Sequence, residues 1–146
     1  MEWNQFEEAN IENPEITIDS LTQGFFEASK KLIRMSIKEL SDSERIMSPL
    51  STTFQYELIM YSEYVSEYKF IVLLIGYNVT IYPVVLNVDS EILKEILPDK
   101  RISSRYTFNL DTEEELIQFC NSIFKTNKFV NTVSGLMKIA RKKSET

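Results

Sequence analysis

The chain has 146 residues, a formal net charge of −6, one cysteine, three glycines and no histidine. That length makes about one domain, able to bury roughly two thirds of its unfolded surface without a metal or disulfide staple. The missing imidazole excludes Ser-His-Asp and Cys-His catalysis; the lone Cys120 excludes thiol pairs and zinc fingers; and the scattered Gly24, Gly76 and Gly135 exclude phosphate loops and dinucleotide fingerprints.

Residues 1–15 form an acidic, loosely structured segment in which Trp3, Phe6 and Ile11 are available to pin the chain to the body. Asn13-Pro14 marks a break, because the residue before proline avoids the helical region. A long helix is expected next, capped by Asp19 or Ser20. Leu21, Phe25, Ala28, Leu32 and Met35 recur at helical spacing, and Phe26, Ile33, Ile37 and Leu40 form a second row, giving a wide buried stripe. Ser41-Asp42-Ser43 ends it.

Three strands follow as a meander. Phe54, Tyr56, Leu58 and Met60 alternate with their neighbours; Tyr68 to Ile75 is apolar on both faces and reads as central; Val79 to Val88 contains Pro83, which points to an edge or a bulge. Asp89 or Ser90 caps a short helix over 91–97, stopped by Pro98. A fourth strand is expected over 102–110. Asp111 with Glu114 has capping-box spacing, and Glu113, Glu114 and Glu115 suit the positive end of a helix dipole. That helix buries Leu116, Phe119, Cys120 and Ile123, with Cys120 a structural thiol. Thr126-Asn127 breaks it, and a last helix carries Phe129, Val133, Leu136, Met137 and Ala140. The expected fold is a single α+β domain over 16–141. It has a mostly antiparallel four-stranded sheet, a long N-terminal helix, a short connecting helix and two C-terminal helices, then a basic frayed tail over 142–146.

Charge is distributed unevenly. Residues 1–29 hold seven acids and no base, while the last 22 carry Lys125, Lys128, Lys138, Arg141, Lys142 and Lys143 against Glu145 alone. Such ends are either solvated faces or an acidic surface offered to a basic partner. Overall acidity argues against nucleic-acid binding, which runs on neutralising phosphates. The start lacks a basic region followed by an apolar stretch, and the longest apolar run, Phe70 to Ile75, falls far short of the ~20 residues of a membrane helix. A cytoplasmic chain with no membrane partner is expected.

The available chemistry is carboxylate and lysine chemistry. The order helix-strand-strand-strand-helix-strand over 17–110, with Glu57 on the first strand and Glu67-Tyr68-Lys69 opening the second, resembles the restriction-endonuclease-like core. That resemblance implies an acid and an acid-x-lysine holding Mg²⁺ and activating water. The Pro-Asp usual before the first acid is absent here, so it implies either a Mg-dependent nuclease or an inactive relative.

All seven tyrosines lie in or beside the sheet region, where a ring packs while its hydroxyl reaches water. Tyr61, Glu63 and Tyr64 share one connection, and tyrosine is enriched at interfaces. The favoured reading is a non-enzymatic protein-binding module with no catalytic residues, metal or cofactor. Small acidic α+β chains of this composition resemble immunity or antitoxin-type inhibitors and phage anti-defence proteins. Its candidate contacts to a basic partner are Glu7, Glu8, Glu12, Tyr61, Glu63, Tyr64 and Glu67. A third alternative is an accessory or structural subunit that oligomerises through a sheet edge or its last helix.

Overall fold

A computed structural model describes residues 2–146. Every residue from Glu2 to Asn13 lies outside helix and strand and is exposed. The expected pinning by aromatics does not occur: Trp3 is 77 % and Phe6 80 % exposed. Asn13-Pro14 is a helix start rather than a break. Helix α1 (Pro14–Leu21) begins with proline in its first turn, where no N–H is needed, and buries Thr17 and Ile18.

The long N-terminal helix is not formed. After α1 the chain turns at Gly24, whose φ of 86° is left-handed, makes one turn of helix α2 (Phe25–Ala28), and passes through Lys30 and Lys31 at φ 59° and 63°. Ser29, buried, ends that turn: its hydroxyl accepts from Ile33 N–H at 3.0 Å and lies 2.9 Å from the Phe26 carbonyl. The expected second half of the helix is instead strand β1 (Arg34–Glu39). Ile33, Met35 and Ile37 alternate with Arg34, Ser36 and Lys38, so the same apolar residues satisfy a period of two as well as one near 3.6.

Ser41-Asp42-Ser43, expected to end a helix, starts one. Helix α3 (Asp42–Met47) opens with a capping box between Ser41 and Glu44. Strands β2 (Phe54–Tyr61) and β3 (Phe70–Tyr77) follow close to expectation. Strand β4 is shorter than expected (Val84–Val88); it starts after the cis Tyr82-Pro83 bond, so proline stands outside the ladder and β4 is an interior strand rather than an edge. Helix α4 (Ser90–Ile96) is capped by Asp89 as expected. Strand β5 is only Phe108–Leu110. Helix α5 (Glu113–Phe124) is capped by Thr112, which accepts from Glu115 N–H, and not by Asp111. Helix α6 (Asn127–Ser144) runs on into the basic tail, which is therefore helical through Ser144. The Glu95 carboxylate of α4 accepts from the N–H groups of Asn127 and Lys128 at 2.7 and 2.8 Å, meeting the positive end of α6.

The result is a single-domain α+β fold on one antiparallel sheet of five strands, not four, in the order β1-β2-β3-β4-β5. Helices α1, α4, α5 and α6 cover one face, where Leu58, Leu73, Ile75, Leu86 and Val88 meet Ile18, Leu116, Cys120, Ile123 and Leu136. On the same face the Tyr77 hydroxyl donates to Glu15, 2.7 Å from Oε1, tying α1 to the sheet. Burial, with the Glu15 carboxylate beside it, raises the Tyr77 phenol above its ordinary range. No helix of the described residues is long and apolar enough to cross a membrane.

Burial also pushes the Cys120 thiol up to about 12, and the Tyr82 phenol up to about 12. The folded chain thus holds these protons more tightly than the unfolded chain, whose Cys titrates near ~8.5 and Tyr near ~10. Stability should be fully present below about pH 8.5 and fall as pH rises from there toward about 12. Thermal melts of wild type and C120A at about pH 8 and about pH 10 test this: the wild type should lose more stability over that interval. Equal losses would show that the thiol makes no contribution.

Candidate functional site

The bulge in β2–β3, where Leu58 pairs with Leu73 but Ile59 with Ile71, leaves Val72 as the extra residue. It lets both strands keep apolar side chains inward on either side of the irregularity. The opposite face of the sheet carries no long helix. It presents Ser36 and Lys38 from β1, Gln55, Glu57, Ile59 and Tyr61 from β2, Ile71 and Leu74 from β3, and Asn87 from β4.

Part of this second face is strapped by the segment running through α3 to β2. Gln55 Nε2 donates to the carbonyls of Leu50 and Thr52 at 3.3 and 3.0 Å. Arg45 donates to Thr53 O at 2.8 Å, and Asn78 Oδ1 accepts from Thr53 N–H at 2.9 Å. Gly76 lies beneath the strap. A β-carbon there would collide with Thr52 Oγ1 and stand 3.1 Å from Leu50 Cδ1. The strap leaves Ile46 and Met47 projecting, 81 % and 75 % exposed.

Glu57 lies at the centre of this face with a side chain only 2 % exposed. Its Oε1 accepts from Lys69 Nζ at 3.2 Å and stands 3.4 Å from Lys38 Nζ, the residue directly opposite it on β1. Glu44 Oε2 of α3 is 3.8 Å from Lys69. Hydrogen bonds from the Ser41 N–H and then from its hydroxyl hold the Glu44 carboxyl below the usual range. Glu57, the first acid of the nuclease resemblance, thus lies beside Lys69 and also beside Lys38. Two ammonium groups on one buried carboxylate oxygen make a lock between strands and compete with any cation. Glu67 is on the β2–β3 connection with φ 65°, lining a different hollow from Glu57. Among the described residues no group of three or more His, Cys, Asp or Glu is placed to hold a metal ion.

The expected contact residues fall into two groups. Tyr61 and Glu67 line one open hollow with Ser36, Lys38, Tyr68 and Lys69. Glu63 does not line it; it accepts from Arg34 Nε at 2.6 Å, and the Arg34 guanidinium lies 3.9 Å above the Phe26 ring. Tyr64 beside them is exposed. Glu7, Glu8 and Glu12 lie on the N-terminal arm, and among the described residues none forms a hydrogen bond or ion pair with the 61–67 connection. Lys38 and Glu44 were missed from the sequence because their segment reads as helix and helix end. The alternation Arg34, Ser36, Lys38 against Met35, Ile37 was the available signal.

The molecule is thus an α+β sheet protein with one helix-covered face, one largely open face and an acidic aromatic arm. No family model matches the chain, and no curated protein or solved structure matches it.

Proposed function

We propose that the chain is a non-enzymatic protein-binding module, an acidic inhibitor of immunity or antitoxin type or a phage anti-defence protein, acting in the cytoplasm on a partner with a basic surface. The observation that carries this reading is the arm. Over residues 2–13 it holds Glu2, Glu7, Glu8 and Glu12 with no base, and it exposes the indole of Trp3 and the ring of Phe6, whose centroids are 6.0 Å apart. Acids of one sign speed encounter with a basic surface, and large rings supply the burial that holds the complex. A second contact area is offered by Tyr61, Glu63, Tyr64 and Glu67 at the end of the open sheet face. The lysine lock on Glu57 supports the same reading, because it commits the best-placed carboxylate to structure.

Affinity capture from source cells with the full chain, a variant lacking residues 2–12 and the W3A/F6A variant tests the proposal. A basic protein should be retained by the full chain and lost from both variants, with an association rate that falls steeply as salt is raised. The same proteins retained by all three would overturn it.

A further inference from the structure

A hollow of about 290 Å³ opens between the turn after α1 and the junction of α5 with α6. Its lining is mostly apolar, with Leu21, Phe25, Ala28, Met35, Phe124 and Phe129 facing the turn residues Thr22, Gln23 and Gly24. A cavity on the order of 150 Å³ accommodates a benzene ring, so this one has room for an indole or for two smaller rings. The chain carries a matching pair of rings on its arm, Trp3 and Phe6, and they do not fill the hollow of their own molecule. The exposed bases Lys30, Lys31 and Lys125 lie within three residues of the lining positions Ala28 and Phe124, against Asp19 and Glu27 on the segments around it. The arm brings only acids.

We infer that this hollow receives Trp3 from the arm of a second copy, with Phe6 packed at its mouth, so that two chains exchange arms in a symmetric dimer. Such an exchange is isologous: each copy gives one arm and receives one. At roughly 150–250 Å² per aromatic ring, the four exchanged rings alone bury about 600–1,000 Å². The walls they cover add to this and bring the contact to the ~1,200 Å² at which specific interfaces begin. The same rings serve the partner contact proposed above, so self-association and partner capture exclude one another. The inference does not depend on which partner is captured, because the purified protein alone tests it.

Trp3 is the single tryptophan, so its emission reports on the arm directly. Sedimentation velocity from micromolar to near-millimolar concentration should show a monomer–dimer equilibrium, with the emission shifting to the blue as dimer forms. The W3A/F6A variant, altered only at exposed positions, should weaken dimerisation by about 30-fold or more. Ala28 is exposed and lines the hollow. An A28F variant should fill the hollow and be monomeric; mixing A28F with W3A/F6A leaves one arm and one empty hollow, so the mixture should associate more weakly than wild type but more tightly than either variant alone. The inference would be overturned by a wild-type monomer at every concentration, by a W3A/F6A dimer as tight as the wild type's, or by a mixture no tighter than either variant alone. A monomer whose Trp3 emission is already blue-shifted would place the arm on its own body and overturn it equally.

Discussion

Replacing Lys38 and Lys69 together by methionine is expected to lower the stability of the fold by about 3 kcal/mol. Both ammonium groups converge on one carboxylate oxygen of Glu57, at 3.4 and 3.2 Å. Removing them leaves a charge whose side chain is 2 % exposed with no cation beside it. Breaking a buried pair on one side typically costs ~3–5 kcal/mol. The lysines are themselves 50 % and 37 % exposed, so solvent already screens them and the lower end of that range applies. At ~2–4 °C per kcal/mol for a chain of this size, the melting temperature should fall by about 6–12 °C. The decisive comparison is the triple variant K38M/K69M/E57L. Replacing the whole ionic cluster with apolar groups should return stability to within about 1 kcal/mol of wild type or above it. Denaturant melts of the three proteins measure both effects. An unchanged double variant would mean that water, not lysine, compensates Glu57.

The second large effect is expected at Gly76. The residue lies one position before the end of β3 and pairs with Gln55 and Val85, so it has neighbours on both sides in the sheet. Above it the strap brings Thr52 Oγ1, which donates to Phe54 O at 3.0 Å, and Leu50 Cδ1. A methyl group has no space there. G76A should therefore lift the strap or distort the strand, at a cost of about 1–3 kcal/mol. The double variant G76A/T52A removes the first atom the methyl group would strike, and should recover part of the loss while giving up the Thr52 hydrogen bond. If G76A melts like wild type, the strap is not packed on β3 as described. The two predictions are independent tests of the open face, one of its charge lock and one of its strap.

The sequence is legible where a pattern has only one interpretation. The alternation in β2, the unbroken apolar run of β3 and the Asp89 cap of α4 each admit one element. Legibility fails where one set of residues serves two periods. Ile33, Met35 and Ile37 fit a helical stripe begun at Leu21, and the competing evidence was the possibility of a left-handed turn at Lys30 and Lys31, which are not turn-forming residue types. The missing strand had a cost for the site as well. Without β1, Lys38 had no place opposite Glu57, and the carboxylate looked free for metal chemistry. Pro83 misleads in the other direction: within an apolar run it points to an edge or a bulge, whereas the strand begins after it. The arm's composition was legible from the start. Its separation from the body was not, because nothing in Trp3, Phe6 and Ile11 says that apolar residues near a terminus will find no core to join.

The strand order has a bearing on how the molecule is assembled. Each of the five strands pairs with its neighbour in sequence, so every ladder closes over a short stretch of chain and none waits for a distant segment. A ribosome delivering the chain from its N-terminal end can build hairpin upon hairpin as each strand emerges. Helix α1 is the exception: it packs against α5, from the far end of the chain. Its contacts with β1, and the hydrogen bond from Tyr77 to Glu15, are available early, but the side of α1 that meets α5 stays uncovered until the C-terminal half of the chain is made.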